Sequence, residues 1–236
     1  MNGYFLAIFV GLVFCLFIYE FVVNSSFKND YPQLNHEAFK QCEIPDLSFH
    51  PYSSDDLGVC LEIYRELEDL GQLPKGHIEE YQSYLEECIP GLKLFIIKSK
   101  GKVIATCGLR DTEFTYHLVY GLVKPEFQRK GLGSLMLAAR LLEVDSFNKS
   151  VGLSPIDSSV NYYSKYGFEL CYIYKEEILL KDDPKVEKDN EEFIKLMLVS
   201  LHQGDHDFLR NYFSNAVVDV HQMSRAKESS LAISAL

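Results

Sequence analysis

Basic residues are scarce in this chain. Its 236 residues carry 23 Lys and Arg against 34 Asp and Glu, a formal net charge of −11. The positive surface that draws a protein to DNA or RNA phosphates is therefore missing, and nucleic acid is not an expected partner. Paired cysteines are lacking as well. Cys15, Cys42, Cys60, Cys88, Cys107 and Cys171 are widely spaced with no C-x-x-C, a pattern of reduced, unpaired thiols. His202 and His206 stand four apart without a Cys or HExxH context and His221 stands alone, so no metal site is expected. No internal repeat is present. What remains is 47% apolar and 24% charged, the balance of a folded domain, and the length suits one catalytic domain with an extension. An acidic surface favours encounters with amines or basic peptides, although net charge says little about chemistry.

The N-terminus is the one long hydrophobic run. From Tyr4 to Val23, Glu20 is the only charged side chain, and twenty residues at 1.5 Å rise span about 30 Å, the hydrocarbon thickness of a bilayer. Residues 4–23 are thus read as a transmembrane anchor. No Lys or Arg precedes the run and Val23-Asn24-Ser25 makes a poor cleavage site, which favours retention over removal as a signal peptide. Lys28 and Lys40 follow the run, so the positive-inside rule puts the rest of the chain on the cytosolic side. The sequons at Asn24 and Asn148 would argue the other way if used.

A polar linker over residues 24–45 leads to a strand at Leu47–His50 and a helix whose face carries Leu57, Cys60, Leu61, Tyr64, Leu67 and Leu70. A second helix runs from about His77 to Cys88. Lys93–Lys98, Lys102–Leu109 and Glu113–Val123 read as three antiparallel strands joined by short turns. The period then changes, and Leu132, Leu135, Met136, Ala139 and Leu142 mark an amphipathic helix over about Gly133–Glu143. A short strand at Val151–Leu153, a helix at Ser158–Tyr166 and a closing strand at Phe168–Leu180 follow. The order predicts a mixed α/β fold with a mainly antiparallel central sheet flanked by helices. Beyond Lys181 the chain turns charged, and Asn190–Leu201 and Asp205–Val218 read as two helices of a C-terminal extension over residues 181–236.

The segment that carries chemistry is the joint between the third strand and the long helix, from Gly121 through Lys124-Pro125 and Gln128-Arg129-Lys130-Gly131-Leu132-Gly133-Ser134. Gly131 and Gly133 lack Cβ atoms, so backbone N–H groups from Gln128 to Gly133 can close on an anion at the positive end of a helix dipole. It is not a P-loop, because G-x-x-x-x-G-K-[ST] is absent, and not a dinucleotide fingerprint, because Met136 stands where a small residue is needed. Plain turn chemistry is the competing explanation for each glycine.

Q-x-x-G-x-G after a strand and a V-x-P turn resembles the acyl-CoA pyrophosphate loop of the GNAT superfamily of N-acetyltransferases. Tyr163-Ser164-Lys165-Tyr166-Gly167-Phe168, starting 30 residues after Gly133, is similar to the family's Y-x-x-x-G-F at its last helix. The resemblance covers residues 46–180. It implies that the pantetheine arm of acetyl-CoA lies beside Gly121, Leu122 and Val123, that Gln128, Arg129, Lys130, Gly131, Leu132, Gly133 and Ser134 hold the pyrophosphate, and that a backbone N–H near Gly121 or Leu122 binds the oxyanion. His117, eleven residues before Gln128, matches the position of the family's Glu or His general base, with Glu113 in reserve. A histidine of pKa about 6.5 suits that task. Tyr163 matches the family's general acid at the CoA sulfur. The pattern is broken where the family often has Asn and Ala, at Ile156 and Ser159, leaving Asn161 or Ser158 to supply the CoA contact. The expectation is a membrane-anchored acetyltransferase acting on a primary amine in a ternary complex. A non-catalytic module of the same fold, binding CoA or a partner protein, is the alternative. The acidic residues Glu66, Glu68, Asp69, Glu79, Glu80, Glu86 and Glu87 suit an amine acceptor or simply a solvated helix face.

Overall fold

The computed structural model describes residues 32–87, 89–113, 115–145, 149–171 and 196–217. The expected membrane span at 4–23, the first part of the linker, the later part of the closing strand, the charged stretch up to residue 195 and the last residues of the chain lie outside them. Among the described residues no helix is long and apolar enough to cross a membrane.

Seven strands form one sheet. In chain order they are β1 (Leu47–Pro51), β2 (Leu92–Ser99), β3 (Lys102–Asp111), β4 (Thr115–Val123), β5 (Ser150–Leu153), β6 (Glu169–Cys171) and β7 (Leu196–Val199). Their spatial order is β1-β2-β3-β4-β5-β7-β6. Every pairing is antiparallel except β4 with β5. The β2–β3 turn shows why the hairpin closes tightly. Lys100 and Gly101 both take positive φ, 50° and 76°, the backbone twist that a two-residue hairpin loop requires.

The helices α1 (Leu57–Asp69) and α2 (Ile78–Glu86) cover one face of the sheet. The buried side of α1 consists of Cys60, Leu61, Ile63, Tyr64 and Leu67, which join Tyr81 and Leu85 of α2 over Ile96 and Leu122. On the opposite face lie α3 (Leu132–Leu142) and α5 (Gln203–Ala216), while α4 (Val160–Ser164) precedes β6.

Three expectations need correction. Residues 196–199, read as part of a helix, form β7 between β5 and β6. Leu-Met-Leu-Val is a short apolar run, for which periodicity cannot separate a strand from a buried helix, and an open strand edge on each side decides it. Next, α3 is not amphipathic. Residues Leu132 and Ser134 through Leu141 are all buried, because the sheet covers one side and α5 the other. Finally, the second half of the linker packs against the domain. Leu34 and Ile44 are core residues, Ser200 donates its N–H to Pro32 at 3.0 Å, and Asn35 donates to Tyr166 at 2.9 Å.

The C-terminal helix therefore belongs to the core. Phe213 is 3% exposed and meets Phe49 of β1 edge to face, with ring centroids 4.8 Å apart. Phe213→Ala should cost about 3–5 kcal/mol, the range for removing a buried aromatic. Urea unfolding checks this, with a lower midpoint expected at unchanged slope. A loss below about 1 kcal/mol would show that α5 is peripheral, by the same scale.

Candidate active site

The site is organised by a bulge in β4. Thr106 pairs with Leu122 and Gly108 with Val119, so Cys107 faces the two residues Tyr120 and Gly121. An extra residue in one strand reverses the faces that follow it. Tyr116 and Leu118, before the bulge, join the core cluster with α3. Leu122, after it, is buried among α1 and α2, with Tyr120 packed against the same cluster. Tyr120 absorbs the distortion at a φ of 46°. Gly121 is turned toward the side chains of Arg140 and Tyr163.

The second determinant is a parting of strands. β4 and β5 pair only at Thr115–Ser150, Tyr116–Val151 and His117–Gly152. β5 then ends at Leu153, and Pro155 follows two residues later with no N–H to continue a ladder. From Leu118 to Val123, β4 has β3 on one side and, among the described residues, no strand on the other. His117 stands at the closed end of this parting and Gly121 along its open length.

Beyond β4 a short 3₁₀ turn at Pro125–Phe127 leads to the glycine loop. Arg129 and Gly131 are left-handed, at φ of 61° and 81°, alternating with ordinary backbone in the manner of an anion-binding nest. The first-turn N–H groups of α3, on Leu132, Gly133 and Ser134, have no acceptor within the helix. Gly133 is required here by Tyr162, whose phenolic oxygen lies 2.8 Å from where a Cβ would stand. That oxygen is buried, with the Tyr166 hydroxyl as its polar neighbour. Burial first, then its neighbours Tyr166 and Tyr163, push the phenol well above its ordinary pKa, so it is a protonated donor at the helix N-terminus. Gly131 is required for packing, since a Cβ would overlap the carbonyl of Gln41. The segment before β1 crosses the loop at that point, and Glu43 donates its N–H to the Lys130 carbonyl at 2.9 Å.

Not every expected loop residue presents its side chain to a ligand. Gln128 binds the Val123 carbonyl at 3.1 Å and Gln72 at 2.7 Å, fixing the loop to β4 and to the α1–α2 connection. Leu132 is a core side chain. The Ser134 hydroxyl is held by Tyr166 at 2.5 Å and accepts the Lys40 N–H at 3.4 Å, so Ser134 and Leu132 can offer only their backbone. A cleft of about 470 Å3 alongside is bordered by Lys100, Lys102, Lys124 and Lys130 and by Glu43 and Glu126, a small local cation excess in an acidic chain. Among the described residues no His, Cys, Asp and Glu group could hold a metal.

The expected catalytic residues divide. His117 lies directly across from Arg110, whose guanidinium donates to Tyr84 of α2 at 3.3 Å. Burial, then the Arg110 charge, lower the His117 pKa below its usual value, keeping the imidazole neutral and basic at pH 7. Tyr163 is brought to Gly121, its oxygen 3.8 Å from the position of a Cβ there. Glu113 is not brought to the site. It is exposed in the β3–β4 turn, before β4 begins at Thr115, because Thr112 and Thr115 close that turn with their own hydroxyl and backbone bonds. Asn161 is exposed on α4. On α1 and α2, Glu68 caps the Gly76 N–H at 2.6 Å, Glu80 pairs with His77 at 3.1 Å and Glu86 with Gln82 at 2.8 Å, the bonds of a solvated helix face.

Two contributors escaped the sequence reading. Tyr162 is one; the other is Arg140, 2% exposed on α3, with Nη1 and Nη2 at 3.5 and 3.7 Å from the same Gly121 point. An arginine inside the otherwise apolar stretch Leu135–Leu142 was the available signal.

Residues 90–170 match the model of the acetyltransferase (GNAT) domain. Three solved acetyltransferases share the fold. One from Streptococcus agalactiae is 13% identical with a TM-score of 0.50, over 67% of this chain and 100% of its own. One of the GNAT family from Staphylococcus aureus is 14% identical at 0.50, over 66% and 99%. One from Thermus thermophilus is 12% identical at 0.50, over 67% and 99%. No curated protein matches the sequence.

Proposed function

We propose that this GNAT-type acyltransferase domain moves an acetyl group from acetyl-CoA to a primary amine, either a small amine or a protein lysine or N-terminus, with donor and acceptor bound together. The observation that carries the reading is the parting of β4 from β5 beyond His117 and Gly152. Backbone groups of β4 left without a sheet partner need acceptors and donors, and the amides of a pantetheine arm supply both beside Gly121, Leu122 and Val123. The pyrophosphate then meets the N-terminal turn of α3, the backbone from Arg129 to Ser134 and the Tyr162 hydroxyl.

The chemistry follows from the charges. The amine nitrogen attacks the acyl carbon, forming the C–N bond, and its proton passes to neutral His117, directly or through water. A β4 N–H near Gly121 or Leu122 holds the oxyanion. The C–S bond breaks with its electron pair on sulfur, and Tyr163 supplies the proton that makes free CoA. Tyr84 and Tyr120, with ring centroids 4.9 Å apart, line the α2 side from which the acceptor approaches. The apolar run at residues 4–23 supports an anchor that keeps the domain at a membrane and on its cytosolic side.

Calorimetric titration of acetyl-CoA into the detergent-solubilised chain tests the donor. Micromolar binding is expected, weakened roughly 10- to 100-fold in Tyr162→Phe, the worth of one hydrogen bond to a charged group. A folded protein that ignores acetyl-CoA would leave the non-catalytic module. Once an acceptor is found, kcat/KM should rise with pH as His117 loses its proton. Because the His117 pKa is lowered, the midpoint should fall below about 6.5 and the plateau be reached by neutrality. His117→Gln should abolish that limb and slow turnover by about 10²- to 10⁴-fold; a retained limb removes His117 from the mechanism. For the anchor, membranes washed in alkaline carbonate should retain the chain. A mobility shift on glycosidase treatment would overturn the cytosolic orientation.

A further inference from the structure

The fold buries one positive charge without giving it an anion. Arg140 is the ninth residue of α3, and its Nε donates to the Met136 carbonyl one turn earlier at 3.1 Å. Both terminal nitrogens and the Tyr163 oxygen converge within 3.5–3.8 Å of a single point, the empty Cβ position of Gly121. Gly121 itself is exposed and lies on β4 beyond the last rung shared with β5. Among the described residues no carboxylate forms an ion pair with Arg140. The groups that face it are Cys107 on β3 and Tyr162 and Tyr163 on α4. Burial pushes the Cys107 thiol up to about 11, so this neighbour is neutral at physiological pH and does not compensate the charge. Burying a cation is costly unless an anion meets it, and such groups cluster where chemistry develops charge.

We propose that Arg140 is a catalytic residue that receives the negative charge of the departing CoA sulfur. This rests on the acetyltransferase reading above. As the C–N bond forms and the C–S bond breaks, the electron pair left on sulfur lies against the guanidinium, an electrostatic stabiliser fixed in place before the reaction begins. The same side chain directs the acid. A guanidinium only donates, so toward Arg140, which shares the Gly121 point with it, the Tyr163 oxygen can only accept. The phenol proton is then turned away from Arg140 and into the slot, where it transfers to the sulfur. The phenolate that remains sits beside the same cation until solvent returns the proton.

The test needs no acceptor. The thiol of CoA bound to the full chain is titrated by its ultraviolet thiolate absorbance, with desulfo-CoA binding followed over the same pH range. The desulfo compound cancels contributions from His117, Cys107, Tyr162 and Tyr163. The bound thiol should ionise at least one unit below that of free CoA, meaning thiolate held at least tenfold more tightly than thiol. Arg140→Met should abolish the shift and Arg140→Lys retain part of it, while desulfo-CoA binds all three alike. Should Arg140→Met fail to fold by circular dichroism, Arg140→Gln replaces it. An unshifted thiol in wild type, or the same shift without Arg140, overturns the assignment while leaving the acetyltransferase intact. Failure of wild type to bind any CoA, seen by calorimetry beforehand, overturns both. Succinyl-CoA binding at least tenfold tighter than acetyl-CoA, in an Arg140-dependent way, would give the cation to the acyl chain instead and overturn the sulfur role.

Discussion

The parting of β4 from β5 is the constraint on which the rest depends. A parallel pair that stops after three rungs leaves one edge of β4 without a strand partner among the described residues, in the middle of a seven-stranded sheet, and a folded protein tolerates unpaired backbone only where another group, water or a ligand takes the missing place. The bulge at Tyr120 and Gly121 lies along the same stretch. It turns a side-chain-free residue toward α3 and α4, and every polar group gathered there, from Tyr163 to Arg140, is placed relative to that one glycine. The glycine loop continues directly from the strand, so the binding and reacting ends of the slot share a single rigid path from His117 to Gly133.

The division of labour within the loop is less simple than its sequence pattern. Both glycines are needed, for different reasons: Gly133 makes room for a buried phenol, and Gly131 lets another part of the chain cross overhead. Close packing by other parts of the chain therefore requires both glycines of one Gly-Leu-Gly. Gln128, the first residue of the pattern, works as a staple between β4 and the α1–α2 connection.

Local features were legible in the sequence. The strands around the hairpins, α1, α2, α3 and the glycine loop follow from alternation, helical spacing and turn residues, and so does the position of His117 on β4 and of Tyr163 on the helix before β6. What was not legible depends on long-range partners. Leu196–Val199 becomes a strand because β5 and β6 flank it, and α3 is buried all round because a helix from more than sixty residues later lies on it. Arg140 and Tyr162 gain their meaning only when β4, α3 and α4 meet. Glu113 fails for a local reason: Thr112 and Thr115 close the turn and leave the carboxylate at the wrong end of the strand.

The crossing over Gly131 has a geometric consequence. The chain is fixed to the domain from Pro32 onward by the Ser200 and Tyr166 bonds, and only residues 24–31 separate that point from the apolar run. Eight residues reach at most about 28 Å when fully extended. Were residues 4–23 to lie in a bilayer, the glycine-loop end of the slot would be confined to a layer about one protein diameter deep. Encounter with a ligand would then be a matter of surface density, and one itself confined to the bilayer would meet the domain in two dimensions while a freely diffusing one would have to come to it.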